Sequence, residues 1–175
     1  MTEEILTQVD ENDNVIGPSP NHEVWKNKLI HRAANVIVSN EKGQIFVHQR
    51  KIGIKIYSGK WDMKFGGAVI FGETYEDAAK RELEEEAGIK DVKLTFLFPQ
   101  KFRSDIRNVN RQVFIITYEG PFNLQKEEVE QGKFMTIPEI KELEKKGMLS
   151  PTGIQVFNQY LQQRGETKYQ KLLKI

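Results

Sequence analysis

Between Thr74 and Gly88 the chain reads TYEDAAKRELEEEAG, and no other stretch restricts its fold as strongly. Thr74 is a good N-cap, with Asp77 three residues on in capping-box position. Glu76 and Asp77 complement the positive end of the helix dipole. Gly88 supplies the left-handed residue that commonly ends a helix. The spacing therefore predicts a helix over Tyr75–Ala87, about 20 Å long. Ala79, Leu83 and Ala87, extended by Ala78, form one apolar stripe that must be covered by another layer.

A second face carries Glu82, Glu85 and Glu86 at spacings of three and four, where like charges repel by roughly 0.2–0.5 kcal/mol per pair. Glu84 points elsewhere, in line with Lys80 and Glu76, and faces water. Arg81 lies four residues after Asp77 and four before Glu85, so it can pin a carboxylate on either side. Helix composition alone is satisfied by a solvated acidic face. The wider spacing decides against it. Gly67, five residues, Glu73, seven residues, Arg81-Glu82, an aliphatic, any residue, Glu85-Glu86, any residue, Gly88 and an aliphatic stand in fixed register. Seven fixed residues at fixed spacing arise by chance on the order of one time in ten million. Three oxygen ligands on one rigid rail suit a hard divalent cation, with water and a substrate phosphate completing the shell.

The remaining chain alternates strand and helix patterns irregularly. EILTQVD, a polar DENDN turn and VIG form a hairpin stopped by Pro18 and Pro20. NHEVWKNKLI is a short helix. AANVIVSN and QIFVHQR form a hairpin around Glu41, Lys42 and Gly43. KIGIKIYSGK is a basic loop, followed by WDMKF and AVIF as short extended pieces. VKLTFLFPQKF and RQVFIITYEG are strands separated by a polar loop over 103–110, and QGKFMTI is a last strand. IPEIKELEKKG and PTGIQVFNQYLQQR are amphipathic helices, and the basic KYQKLLKI is a helix end. The pattern predicts one mixed α/β domain over residues 1–175, with residues 1–30 as an N-terminal extension.

The 175 residues include no cysteine, which removes disulfides, thiolate metal sites and cysteine nucleophiles together. The acidic N-terminus lacks a secretion-signal pattern, and no apolar run reaches the ~18–20 residues that span a membrane. The expectation is a soluble, cytoplasmic protein with no membrane partner. Twenty-six basic and 25 acidic residues leave a net charge of +1, unlike a protein held to a nucleic acid polymer by many phosphate contacts. A charged substrate is therefore expected to be small.

The register over 67–89 is the Nudix box, and the chain resembles Nudix hydrolases. That resemblance implies an α/β/α sandwich with a mixed central sheet, and hydrolysis of a nucleoside diphosphate linked to another group with Mg2+ or Mn2+. It implies that Glu82, Glu85 and Glu86 are metal ligands and that Glu85 is a candidate base. Arg81 and Glu73 would brace the helix, and Gly67 would let the backbone turn against it. In this family a further carboxylate often comes from a late loop, which makes Glu128 a second candidate base or outer ligand beside Glu127 and Glu130. Arg50, Lys51, Lys55 and Lys64 precede the box and are candidates for substrate phosphates, Arg50 foremost. Phe102 and Arg103 could stack on and pair with a nucleotide, although Phe102 fits a core position better.

HRAANVIVSNEKGQIFVHQRK, a basic loop and then Trp61 resemble isopentenyl-diphosphate isomerases, which share the Nudix fold. Those enzymes carry a catalytic cysteine shortly after the tryptophan. Here Trp61 is followed by Asp62-Met63-Lys64-Phe65-Gly66-Gly67, and Ala68 stands near the position of a further histidine. The resemblance implies an isomerase-like branch that retains hydrolysis and lacks isomerisation. His31 matches the histidine before the first core strand, and as a lone histidine fits a structural role as well. His48 alternates with Phe46 and Arg50, which suggests a polar strand face. Two alternatives stand beside the pyrophosphohydrolase. A cysteine-free isomerase would form dimethylallyl diphosphate. A nucleotide-sensing module would bind without metal-dependent turnover. The sequence is also compatible with a homodimer.

Overall fold

The computed structural model describes residues 3–164. The basic KYQKLLKI segment lies outside the described residues. Strands β1 (Ile5–Val9) and β2 (Val15–Pro20) form the expected hairpin. Its turn is organised by Asp10, whose carboxylate accepts the backbone N–H groups of Asn12 and Asn14 at 2.8 and 2.9 Å. The expectation that the prolines stop the strand is corrected. Pro18 pairs with Thr7 and Pro20 with Ile5. The reason is that β2 is an edge strand, where an N–H missing from the outer side costs no ladder bond. Helix α1 (Asn21–Asn27) follows.

Strands β3 (Ile30–Ser39) and β4 (Ile45–Arg50) are joined by a turn in which Asn40 Oδ1 accepts from the N–H groups of Lys42 and Gln44. They meet at Ser39 and Ile45 and then part. Along its whole length β3 instead pairs in parallel with β7 (Asn108–Thr117), while β4 pairs antiparallel with β8 (Val129–Met135). The chain from residue 61 to 70 pairs between them. Strand β5 (Trp61–Asp62) pairs with β4, Phe65 and Ala68 bridge to Val36 and Ala33 of β3, and Ile70 bridges to Leu6. This stretch brings Gly66 and Gly67 against the glutamate-rich helix.

Strand β6 (Thr95–Arg103) forms a hairpin with β7 whose loop is shorter than the sequence pattern suggests. Ser104 Oγ accepts from the N–H groups of Ile106 and Arg107, which closes the turn over 104–107 and lets both strands extend into the polar segment. The sheet is mixed and helices cover both faces. Helix α2 (Tyr75–Ala87) lies on one face, with Ala78, Ala79, Leu83 and Ala87 packed on Ala34, Val36, Val38 and Phe114. Helices α3 (Ile137–Lys145) and α4 (Pro151–Arg164) lie on the other, where Ile140, Val156 and Phe157 meet Ile37, Val113 and Ile115. Residues of β3 alternate between these cores with the period of two that a strand imposes. The result is the expected α/β/α sandwich. No helix among the described residues is long and apolar enough to cross a membrane.

Candidate active site

Helix α2 starts and stops where its sequence dictates. Thr74 Oγ1 accepts the Asp77 N–H at 3.1 Å, and the Asp77 carboxylate accepts the Thr74 N–H at 3.2 Å. Gly88 closes the helix at φ +69°. Burial of Ala79, Leu83 and Ala87 then fixes the rotation of the helix about its axis. Glu82, Glu85 and Glu86 are turned into a cavity of about 340 Å³ that also reaches β3, β7, α1 and the 61–68 segment.

Arg81 organises this wall. Its Nε donates to Glu73 Oε1 at 2.8 Å and its Nη2 to Glu73 Oε2 at 3.1 Å and to the Ala68 carbonyl at 3.0 Å. Its Nη1 donates to Glu82 Oε1 at 2.7 Å and to Glu85 Oε2 at 3.2 Å. Asp77 is used by the cap and takes no part. Glu73 also accepts the Ile70 N–H, so the loop before the helix is tied to the same guanidinium. Glu86 accepts the Gly66 N–H at 3.0 Å. Glu84 faces water and pairs with Lys90 at 2.6 Å.

Burial pushes the Glu82 carboxyl up to about 7, with Arg81 opposing and Glu85 adding to the rise. Burial pushes Glu86 up to about 8, reinforced by Glu82 and Glu128 and opposed by the Gly66 N–H. Among the described residues no three acidic or histidine side chains converge closely enough to hold an ion in this arrangement, because Arg81 draws Glu82 and Glu85 toward itself. The donor set nonetheless fits a hard divalent cation. It consists of oxygens alone, it is partly desolvated, and Glu86 has no ion-pair partner among the described residues. Glu128 reaches the cavity from the segment before β8, and Glu127 and Glu130 do not.

The rest of the lining includes basic and aromatic side chains. Arg50 and Lys64 line it as the sequence suggests, and Lys51 and Lys55 do not. Arg50 Nε donates to the Ile56 carbonyl at 3.1 Å. Lys64 is held 3.3 Å from the buried Asp62, which also accepts from Ser150 Oγ at 2.7 Å. Arg103 lies off the cavity. It pairs with Glu11 at 3.0 Å and donates to Asn110 Oδ1 and the Val109 carbonyl. Two other arginines take the place foreseen for it, Arg107 and Arg111. The signal for Arg111 was present, since alternation along RQVFIIT puts it on the same inward face as Val113 and Ile115. Phe102 is half-buried, with the Arg111 guanidinium 5.6 Å from its ring centre.

Trp25 of α1 and Tyr57 of the basic loop complete the lining. Tyr57 sits at φ +54°, a left-handed conformation that costs a side-chain-bearing residue roughly 1–2 kcal/mol. His31 lines the cavity and is held neutral, its pKa lowered to about 4 by burial and by Arg107. His48 is not on a polar face. Both sides of β4 are covered, and the His48 ring stacks on Phe65 with centres 4.7 Å apart.

Comparison with known proteins gives the same fold and places the chain. The NUDIX domain model matches residues 29–153. An uncharacterized Nudix hydrolase of Pseudomonas aeruginosa is 33% identical over 159 residues, covering 90% of this chain and 94% of that protein. Another, from Yersinia pestis, is 32% identical over 164 residues, covering 94% and 89%. Among solved structures, DR0079 from Deinococcus radiodurans superimposes with a TM-score of 0.70 at 23% identity, over 84% of this chain and 92% of that one. The MutT protein from Methanosarcina mazei Go1 gives 0.65 at 23% identity, over 79% and 96%. Glu4, Leu6, Asn21 and Trp25 line the cavity from before the matched span. With its box carboxylates gathered on one cavity wall, the chain belongs to the Nudix hydrolase family, enzymes that cleave phosphoric anhydride bonds.

Proposed function

We propose that the protein is a divalent-metal-dependent pyrophosphohydrolase, with Mg2+ or Mn2+ as its metal, acting on a small nucleoside diphosphate derivative or a related diphosphate. The observation that carries this reading is the composition of one cavity. Glu82, Glu85, Glu86 and Glu128 share it with Arg50 and Lys64, so cation-binding oxygens and anion-binding nitrogens face a single space. Glu82, Glu85 and Glu86 would hold the metal. A bound divalent cation neutralises phosphate charge and lowers the pKa of water.

The chain's own groups supply positioning, which dominates phosphoryl transfer. Lys64, fixed by Asp62, and Arg50 orient the diphosphate. Arg81 holds the helix and the loop before it in register through Glu73 and Ala68. Two carboxylates are candidates to take the proton of the attacking water. The Glu128 carboxylate accepts no hydrogen bond among the described residues, and the Glu85 carboxylate is bound only at one oxygen by Arg81. The cavity, at about 340 Å³, suits a small molecule and not a polymer.

The test is a metal-dependence screen against sugar nucleotides, dinucleotides, nucleoside triphosphates, FAD, CoA and isopentenyl diphosphate, with products read by mass spectrometry. Cleavage that needs Mg2+ or Mn2+ and disappears in Glu85→Gln is the expected result. Tight binding with no cleavage would replace this reading with a sensing module. Conversion of isopentenyl diphosphate to its isomer would replace it with isomerase chemistry.

A further inference from the structure

Arg107 and Arg111 stand out because nothing of opposite charge meets them. Arg111 is buried, 4% exposed, and sits on the inward face of β7. Its Nη2 donates to Gln155 Oε1 at 2.5 Å and its Nη1 to Asn35 Oδ1 at 3.4 Å, both neutral partners. Arg107 is half-buried, and its guanidinium lies 5.5 Å from the ring centre of Trp25. Among the described residues neither forms an ion pair, and the Nε of each is buried with no acceptor. Burial and Arg107 lower Arg111 to about 10, and burial and Arg50 lower Arg107, with Asp62 and Tyr57 opposing the fall at both.

An unpaired buried charge is strongly unfavourable, and a planar guanidinium with a free Nε–H presents the edge that grips an oxyanion with two parallel bonds. Glu128 lines the same cavity without pairing to either arginine, and the other nearby carboxylates are engaged elsewhere. Asp62 is committed to Lys64 and Ser150, and the α2 glutamates to Arg81 and Gly66. Lys64, which feels both Glu86 and the two arginines, lines the same cavity as the acidic wall and the arginine pair. Trp25 backs this side of the cavity from before the matched domain span, and the Tyr57 ring lines the same space.

We propose that Arg107 and Arg111 form a metal-independent oxyanion pocket on the β7 side of the cavity, which takes a phosphate monoester of the substrate distinct from the diphosphate at the α2 carboxylates. Two uncompensated positive charges match one dianionic phosphate, whereas a carboxylate would neutralise only half of them. The assignment of that phosphate to the substrate rests on the hydrolase reading. The pocket itself does not.

The experiment separates the two. Binding of inorganic phosphate is measured by calorimetry in EDTA, where no hydrolysis occurs, for the wild type, Arg107→Gln and Arg111→Gln, with acetate as the carboxylate probe. Phosphate is expected to bind the wild type, at least tenfold more weakly in either variant, and acetate to bind poorly throughout. Removing an unpaired buried charge leaves the ligand-free melting temperature of Arg107→Gln unchanged or higher, so loss of binding will not reflect unfolding. No phosphate binding in EDTA, unchanged binding in both variants, or acetate binding as tight as phosphate would each overturn the pocket. A matched pair of nucleoside diphosphate derivatives, with and without a phosphate monoester, then tests the substrate. Arg111→Gln is expected to lower kcat/KM at least tenfold for the phosphorylated member alone. Equal loss on both members would overturn the separate-phosphate assignment, whereas no turnover of any diphosphate by the wild type would sink the hydrolase reading and leave the pocket standing.

Discussion

Arg81 grips Glu73 with two parallel hydrogen bonds, Nε to Oε1 at 2.8 Å and Nη2 to Oε2 at 3.1 Å, across a separation of eight residues. Both side chains are 22% exposed, so solvent weakens the pair only in part. The same guanidinium holds Ala68, Glu82 and Glu85, and its loss would free the loop and leave three carboxylates unmatched. Arg81→Gln should destabilise the protein by about 2–3 kcal/mol, read from urea unfolding. Arg81→Lys should recover less than half of this, because an ammonium cannot reproduce the planar fork. Full recovery by lysine would show that charge alone, and not geometry, braces the helix.

His48 makes stability sensitive to mild acid. Burial lowers its pKa to about 4, while an unfolded chain titrates its histidines near 6.5. The unfolded state therefore binds the proton first as pH falls. The His48 contribution is complete above about pH 6.5 and is lost progressively between 6.5 and 4, by at most about 3 kcal/mol. His31, lowered to about 4 by burial and Arg107, acts in the same direction. His48→Phe keeps a ring against Phe65 and forfeits no bond at Nδ1, which has no partner. Unfolding free energies measured from pH 7.5 to 4.5 should fall less steeply in this variant. Identical slopes would mean that His48 titrates in the native protein as it does in the unfolded chain.

Gly66 and Gly67 are adjacent but forbid a side chain for different reasons. Gly66 has φ +136°, and a Cβ there would collide with the Ala34 carbonyl, which is backbone within the sheet. At Gly67 the collision is with the Glu82 carboxylate, the far end of a flexible side chain. Gly66→Ala should therefore cost about 2–4 kcal/mol of stability. Gly67→Ala should cost less than about 1 kcal/mol while lowering metal-dependent activity more than tenfold, because Glu82 is displaced from the cavity wall. Thermal melts and steady-state rates on the two variants distinguish the effects, and similar losses of stability would count against the different origins assigned here.

The parts of this fold that were legible in sequence are those decided locally. Thr74, Asp77 and Gly88 set both ends of α2 to the residue, because a capping box and a left-handed stop act within four positions. Pairing was not legible where the partner is distant. The turn at 40–44 forms as expected, yet β3 leaves β4 after one pair to join β7 some 78 residues on. The error at His48 has the same root. Alternation distinguishes inside from outside only when one face of a strand meets water, and β4 is covered on both. Residue type does not separate Arg103 from Arg111, whereas strand phase does. Arg111 shares its phase with Val113 and Ile115, and Arg103 ends a strand at the surface.

The three consecutive glutamates of α2 give the sharpest test of the metal face. Glu84 is exposed and pairs with Lys90, Glu85 lines the cavity beside Arg81, and Glu86 is bound to Gly66. Mg2+ or Mn2+ should raise the melting temperature of the wild type, since a ligand that binds only the native state stabilises it by mass action. Glu85→Gln and Glu86→Gln should each remove at least half of that increase, and Glu84→Gln should leave it intact. In the absence of metal the order changes. Glu86→Gln should melt at or above the wild type at pH 8, because a neutral amide replaces a carboxylate whose charge burial opposes. An equal effect of all three substitutions on the metal-induced increase would show that the ion responds to the net charge of the helix and has no site on the face formed by Glu82, Glu85 and Glu86.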